Sequence, residues 1–260
     1  MSSTRKKTVM GSVRFVGAGP GDPGLITVRG MTLLSGADVV VLDRVASPIH
    51  LQHCRAEVEI VDALRDDKGH DLTYAQRGRL LVKHAKAGAH VVRLMDGDAA
   101  GTVGFAEEAK ACAKAGVPFE IVPGVPGATS IPPYAGIPVN SASSTGFNIV
   151  SPHAKKPDWH MHVDELVTVV VPGDGERVIE AADGLIDAGR PGDTPVAVTS
   201  SGTTTSQRTI VSTLEEVAGE LSKEKLEAPL VAVIGTVVGL RDALSWFETK
   251  PLFGWRVLVP

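Results

Sequence analysis

The sequence predicts an α/β fold with two domains and a ligand cleft between them, and three observations lead there. Val13, Phe15 and Val16 form a short apolar strand that runs into Gly17-Ala18-Gly19-Pro20-Gly21-Asp22-Pro23, the strand–loop–helix opening of a ligand-binding α/β domain. Strand-like and helix-like patterns then alternate through the first half, while the second half reads as a more mixed sheet. With 260 residues, 43% hydrophobic and 22% charged, the chain supports two modest cores.

Each element follows from local chemistry. Gly17 and Gly19 remove Cβ atoms where a ligand or another backbone comes close. A dinucleotide fingerprint competes for this loop, but it needs a third glycine where Asp22 stands and free N–H groups to hold pyrophosphate. Pro20 and Pro23 have no N–H and Asp22 adds negative charge, which favours a cofactor without phosphate; a turn that only packs satisfies the same residues. A helix is expected over 25–35 and a buried strand over 37–42, ending at Asp43-Arg44. Ligands in open α/β sheets bind beyond the carboxyl ends of strands, where this pair falls; the alternative is a solvated strand-end ion pair.

The pattern continues with a strand at 57–61, an exposed loop over 62–71, a helix over 73–87 and a strand at 91–95. A helix over 105–116 carries Glu107 and Glu108 in its first turn, where negative charge is favourable, and a fifth strand spans 118–122. Residues 1–12 are read as a mobile tail, 13–142 as the first domain and 143–248 as the second, with strands at 147–150, 167–171, 195–199, 207–211 and 230–234 and a helix over 176–188.

Composition narrows the function classes. A net charge of −4 and 4% aromatic residues give no reason to expect nucleic acid or an anionic membrane. No apolar run reaches the ~20 residues of a membrane span and the polar start lacks a secretion signal, so the cytoplasm is expected. Cys54 and Cys112 fit a reducing compartment, with Cys112 at core spacing. His153, His160 and His162 lie on an irregular polar segment, and no metal is expected.

Residues 16–27 and 37–48, with further motifs in order as far as Phe247, resemble the tetrapyrrole methyltransferase family, specifically its uroporphyrinogen-III C-methyltransferases. The resemblance implies S-adenosylmethionine as cofactor, methylation of uroporphyrinogen III to precorrin-2 on the route to sirohaem and cobalamin, and a homodimer. It implies Asp43 as proton acceptor, with Arg44 steering a substrate carboxylate. It also implies cofactor contacts at Pro20, Asp96, Gly97, Asp98, Gly101, Pro126, Gly127, Pro172 and Gly202. Residues 252–260 resemble the first strand of uroporphyrinogen-III synthase, implying a fusion; lacking strand partners, 249–260 are expected to pack poorly.

The chain also departs from the family pattern. Asp62, Ala63 and Leu64 stand where the family has a Gly-Lys-Arg turn with a proton-donating lysine, and Arg65 is a poor substitute donor. Asp96, Ala99, Ala100 and Gly104 replace a glycine, a proline, a phenylalanine and an arginine; Pro126 and Gly127 replace a hydroxyl-bearing pair. Asn140-Ser141-Ala142 replace Thr-His-Arg, and Pro172 replaces a methionine. A second reading is therefore a degenerate domain that binds S-adenosylmethionine with slow or absent methyl transfer, or that supports a fused synthase. Asp43-Arg44 weigh toward an enzyme, and a nicotinamide-dependent oxidoreductase is disfavoured by the proline-rich loop.

Overall fold

The computed structural model describes residues 10–43, 48–66, 68–153 and 155–255. Arg44, most of the expected tail and residues 256–260 lie outside the described residues. The chain divides into two compact units at Pro126/Gly127, whereas the sequence reading draws the line at 142/143. The helix in between packs on strands of the second sheet and goes with them.

The first unit contains β1 (Ser12–Gly17), α1 (Val28–Ser35), β2 (Val39–Leu42), β3 (Glu59–Asp62), α2 (Tyr74–Lys86), β4 (His90–Met95), α3 (Phe105–Lys114) and β5 (Phe119–Val122). Its five strands are all parallel, in the order β3-β2-β4-β1-β5. Helices cover both faces, so alternate strand residues are buried on opposite sides. Val13, Phe15, Val39, Val41 and Val91 pack against Leu81 and Ala85 of α2 and Ala109 and Cys112 of α3. Val16, Val40, Val92 and Leu94 pack against Leu34 of α1.

Helix starts follow their caps. The first helix begins later than 25 because Asp22 and Pro23 open a single 3-10 turn, Pro23–Leu25, and Thr27 then caps α1 by accepting from Gly30 N–H at 3.0 Å. Thr73 and Gln76 form a reciprocal capping box on α2. Gly104, at φ +95°, starts α3 against the Tyr74 ring; a Cβ there would lie 2.2 Å from Tyr74 Cδ1.

The second unit contains α4 (Gly127–Tyr134), β6 (Gly146–Ile149), β7 (Val167–Gly173), α5 (Gly175–Asp187), β8 (Pro195–Ser200), β9 (Arg208–Thr213), α6 (Val217–Glu224), β10 (Leu230–Ile234) and α7 (Arg241–Leu244). Strand order is β6-β7-β10-β8-β9, with only β6 and β7 parallel, which is the mixed sheet expected. The sequence pattern predicts α5 alone among these helices, and α4, α6 and α7 emerge only in the structure.

The end of the chain packs lightly over its described residues: 251–254 form turns, Pro251, Leu252 and Gly254 are exposed, and half-buried Phe253 meets Phe247 edge-on at 5.2 Å, while Lys250 Nζ lies 4.4 Å from the Trp246 ring. Glu248 anchors the approach by accepting from Gln207 at 2.8 Å and Thr209 at 2.7 Å while pairing with Arg241. Trp255 is exposed, and Val257 and Val259 lie outside the described residues.

Candidate active site

The loops after β1, β4 and β5 are locked together by backbone at the carboxyl edge of the first sheet. Gly19 and Gly97 each donate an N–H to the other's carbonyl at 3.0 Å, and both have positive φ, 80° and 62°, where a side chain is strained. Gly124 packs equally closely: a Cβ on it would stand 2.2 Å from Gly97 O and 2.7 Å from Gly17 Cα. Asp98 closes the arrangement, one carboxylate oxygen accepting from Gly124 N–H at 2.9 Å and the other from Gly101 N–H at 3.1 Å.

Pro20, Asp96, Gly97, Asp98 and Gly101 are thereby brought to one edge, with Pro126 on the loop after β5. Asp98 works through its grip on the loops. Pro20 is half-buried, while Asp96, Gly101 and Pro126 are exposed. What these loops offer a ligand is mainly backbone, and they contain no lysine or arginine over 17–22, 96–104 or 123–126.

Asp43, the first residue after β2, is held from below. Val41 pairs opposite Arg93 on the neighbouring β4, so alternation turns Asp43 and Arg93 toward the face covered by α3. Arg93 is fully buried, and its Nη2 donates to Asp43 Oδ1 at 3.0 Å and Oδ2 at 3.2 Å. Its Nε donates to Glu108 Oε2 at 2.8 Å and its Nη1 to the Leu94 carbonyl at 3.1 Å. Glu108, on α3 beside Ala109 and Cys112, is fully buried too, rather than merely charging a helix start.

The charges shape one another. Burial alone would lower the Arg93 pKa, but Glu108 and then Asp43 more than reverse this and hold it above the ordinary value. Burial, with the Glu108 charge added, pushes the Cys112 thiol up to about 11, so it is an inert core residue. Asp43 keeps 14% of its side chain open, and of the three linked groups it alone reaches solvent. Asp96 is exposed; partial desolvation of its carboxyl raises its pKa, a Gly97 N–H bond opposes this and the nearby Asp43 charge adds to it.

The remaining expected positions sit as follows. Arg65 pairs with Asp71 at 3.6 Å on an exposed loop, where Asp62 accepts from Leu64 N–H at 2.6 Å. In the second unit Gly127 opens α4 and Pro172 is half-buried on β7 opposite Val231. Gly202 lies buried after β8, where a Cβ would stand 2.4 Å from Ile131 Cγ2, so packing of α4 requires glycine there. His162 Nδ1 meets Asn148 Nδ2 at 3.1 Å, and burial, then the Arg190 charge, lowers its pKa. Among the described residues no group of three acidic, histidine or cysteine side chains is placed to hold a metal, and no helix is long and apolar enough to cross a membrane.

Sequence reasoning missed Arg93 and gave Glu108 too small a role. The signal was present: an arginine inside Val91-Val92-Arg93-Leu94-Met95 needs a buried partner, and only a partner makes such a strand position tolerable.

Residues 12–218 match the tetrapyrrole (corrin/porphyrin) methylases. Over 248 residues, 93% of this chain, the sequence is 39% identical to the siroheme synthase of Azotobacter vinelandii, of which it covers 53%; the chain spans about half the length of that relative. It is 34% identical over 248 residues to the uroporphyrinogen-III C-methyltransferase of Bacillus subtilis, covering 93% of this chain and 96% of that one. The uroporphyrin-III C-methyl transferase of Thermus thermophilus, solved in complex with S-adenyl homocysteine, is similar with a TM-score of 0.72 and 31% identity, over 88% of this chain and 100% of that one. The glycine-locked sheet edge, the two-sheet α/β architecture and these similarities together establish that the chain belongs to the tetrapyrrole methylase family.

Proposed function

We propose that the chain is an S-adenosylmethionine-dependent C-methyltransferase that methylates uroporphyrinogen III to precorrin-2, on the route to sirohaem and cobalamin. The observation that carries this is Asp43, a carboxylate at a strand end, fixed by a buried arginine and open to solvent beside backbone-lined loops. Those loops suit the cofactor: without lysine or arginine, and with Asp96 adding negative charge, they fit a positive sulfonium and ammonium better than a phosphate.

When bound, the cofactor supplies a methyl group activated by a positive sulfur. The chain itself binds and orients through the backbone around Pro20, Gly97 and Gly101, which Asp98 steadies, with Pro126 on the adjoining loop. For the second unit the proposal rests on resemblance: Gly127, Pro172 and Gly202 stand where the family contacts the same cofactor. The substrate must shed one proton for each methyl it gains, and Asp43 accepts it as general base, while Arg44 steers a substrate carboxylate.

Similarity across 96% of a methyltransferase favours this enzyme over a degenerate ligand-binding domain. The proposal extends to a cytoplasmic homodimer and, because residues 252–260 resemble the first strand of a uroporphyrinogen-III synthase, to fusion with such a domain.

Transfer of labelled methyl from S-adenosylmethionine to uroporphyrinogen III, beside calorimetric titration of S-adenosylhomocysteine, tests the reading. We expect turnover by the wild type, and a loss of about 10²–10⁴-fold in Asp43→Asn with binding retained. Binding without wild-type turnover would return the degenerate reading, and absence of binding would refute the cofactor.

A further inference from the structure

We propose that Arg93 and Glu108 form a positioning pair that fixes the Asp43 carboxylate for proton removal; this rests on Asp43 being the base. Both side chains are fully buried, so neither touches substrate. Asp43, by contrast, follows the last residue of β2 and is partly open, so the strand ladder does not dictate where its carboxylate points.

The geometry removes that freedom in two steps. Glu108 accepts from Arg93 Nε at 2.8 Å and, more weakly, from Nη2 at 3.4 Å, while the Leu94 carbonyl accepts from Nη1 at 3.1 Å. The guanidinium plane is thus held from α3 and from its own strand. Its Nη2 reaches both oxygens of Asp43, which fixes the carboxylate in turn.

A purely structural role accounts poorly for this device. Arg93 lies between Val41 and Phe15 on neighbouring strands, an apolar setting that an apolar side chain would fill without desolvating two charges. Buried ion pairs are weak contributors to stability compared with well-packed apolar replacements. Among the described residues, Arg93 on β4, itself paired with Glu108 on α3, and Asp96 on the loop after β4 bear on Asp43. Asp96 repels Asp43, so a rigid cation bonded to the Asp43 carboxylate matters for keeping it in place.

A double-mutant cycle on the full chain separates positioning from general disruption. Rates are measured for wild type, Arg93→Met, Asp43→Asn and the double variant with labelled S-adenosylmethionine and uroporphyrinogen III, in single-turnover mode where slow. We expect Arg93→Met to lower kcat by about 10²-fold, as misplacement of a reacting group does, with KM and S-adenosylhomocysteine affinity unchanged, and Arg93→Lys to recover part of the loss. In the Asp43→Asn background the Arg93 change should cost nothing further. Equal slowing in both backgrounds, or a wild-type kcat in Arg93→Met, overturns the proposal while leaving Asp43 as base. Should Arg93→Met fail to fold, Glu108→Gln carries the same cycle. A wild-type rate in Asp43→Asn instead defeats the reading of Asp43 and this proposal with it.

Discussion

Asp96 takes part in no ion pair among the described residues, whereas Asp43 has Arg93, and their roles at one sheet edge differ accordingly. Its folded pKa is raised, so ionisation is disfavoured in the folded state; the folded form is favoured below the unfolded carboxylate pKa and loses that advantage as pH rises through the folded value. Asp96→Asn, which removes the charge, should therefore raise Tm above neutral pH by roughly 2 °C at most, since exposure screens the effect. The gain should fade as pH falls through the carboxylate range. Calorimetric melting at pH 8 and near pH 4 checks this, and an equal gain at both would show that the charge is not responsible.

Helices α2 and α3 carry the support for that site, and their meeting depends on small residues and caps. Gly78 of α2 lets α3 approach: a Cβ on it would stand 2.7 Å from Ala111 Cβ, and this closeness accompanies the seating of Glu108 over Arg93. The α2 start relies on Thr73, whose N–H donates to Gln76 Oε1 at 2.8 Å and whose Oγ1 accepts from Gln76 N–H at 3.3 Å. Thr73→Ala should cost ~1 kcal/mol in urea unfolding, by loss of the cap alone, with kcat unchanged. A loss of activity at unchanged stability would mean that the helix start itself serves the site. Gly104 shows the same dependence on a small residue, since it holds φ +95° against the Tyr74 ring where a side chain would be strained and would clash.

For the whole molecule, exposed apolar residues on edge strands, Phe119 and Ile121 on β5 and Phe147 and Ile149 on β6, are consistent with the homodimer that we propose. Light scattering at micromolar concentration should give twice the 27.2 kDa chain mass, and a monomer mass would count against it. Much of this organisation was legible beforehand. The sequence by itself determined the alternation of strands and helices in the first unit, nearly every strand, and the turn at Gly17 and Gly19, because apolar patterning and glycine chemistry are written in neighbouring residues. The place where α1 starts depended on competing caps at Asp22 and Thr27, and α4 carries Pro132 and Pro133, which hide a helix from any propensity reading. Tertiary structure alone decided what holds Asp43: Arg93 is 50 positions away in the chain and Glu108 a further 15. A buried charge announces in sequence that it needs a partner, but which partner it finds is set by strand order and helix packing, which bring β2, β4 and α3 together.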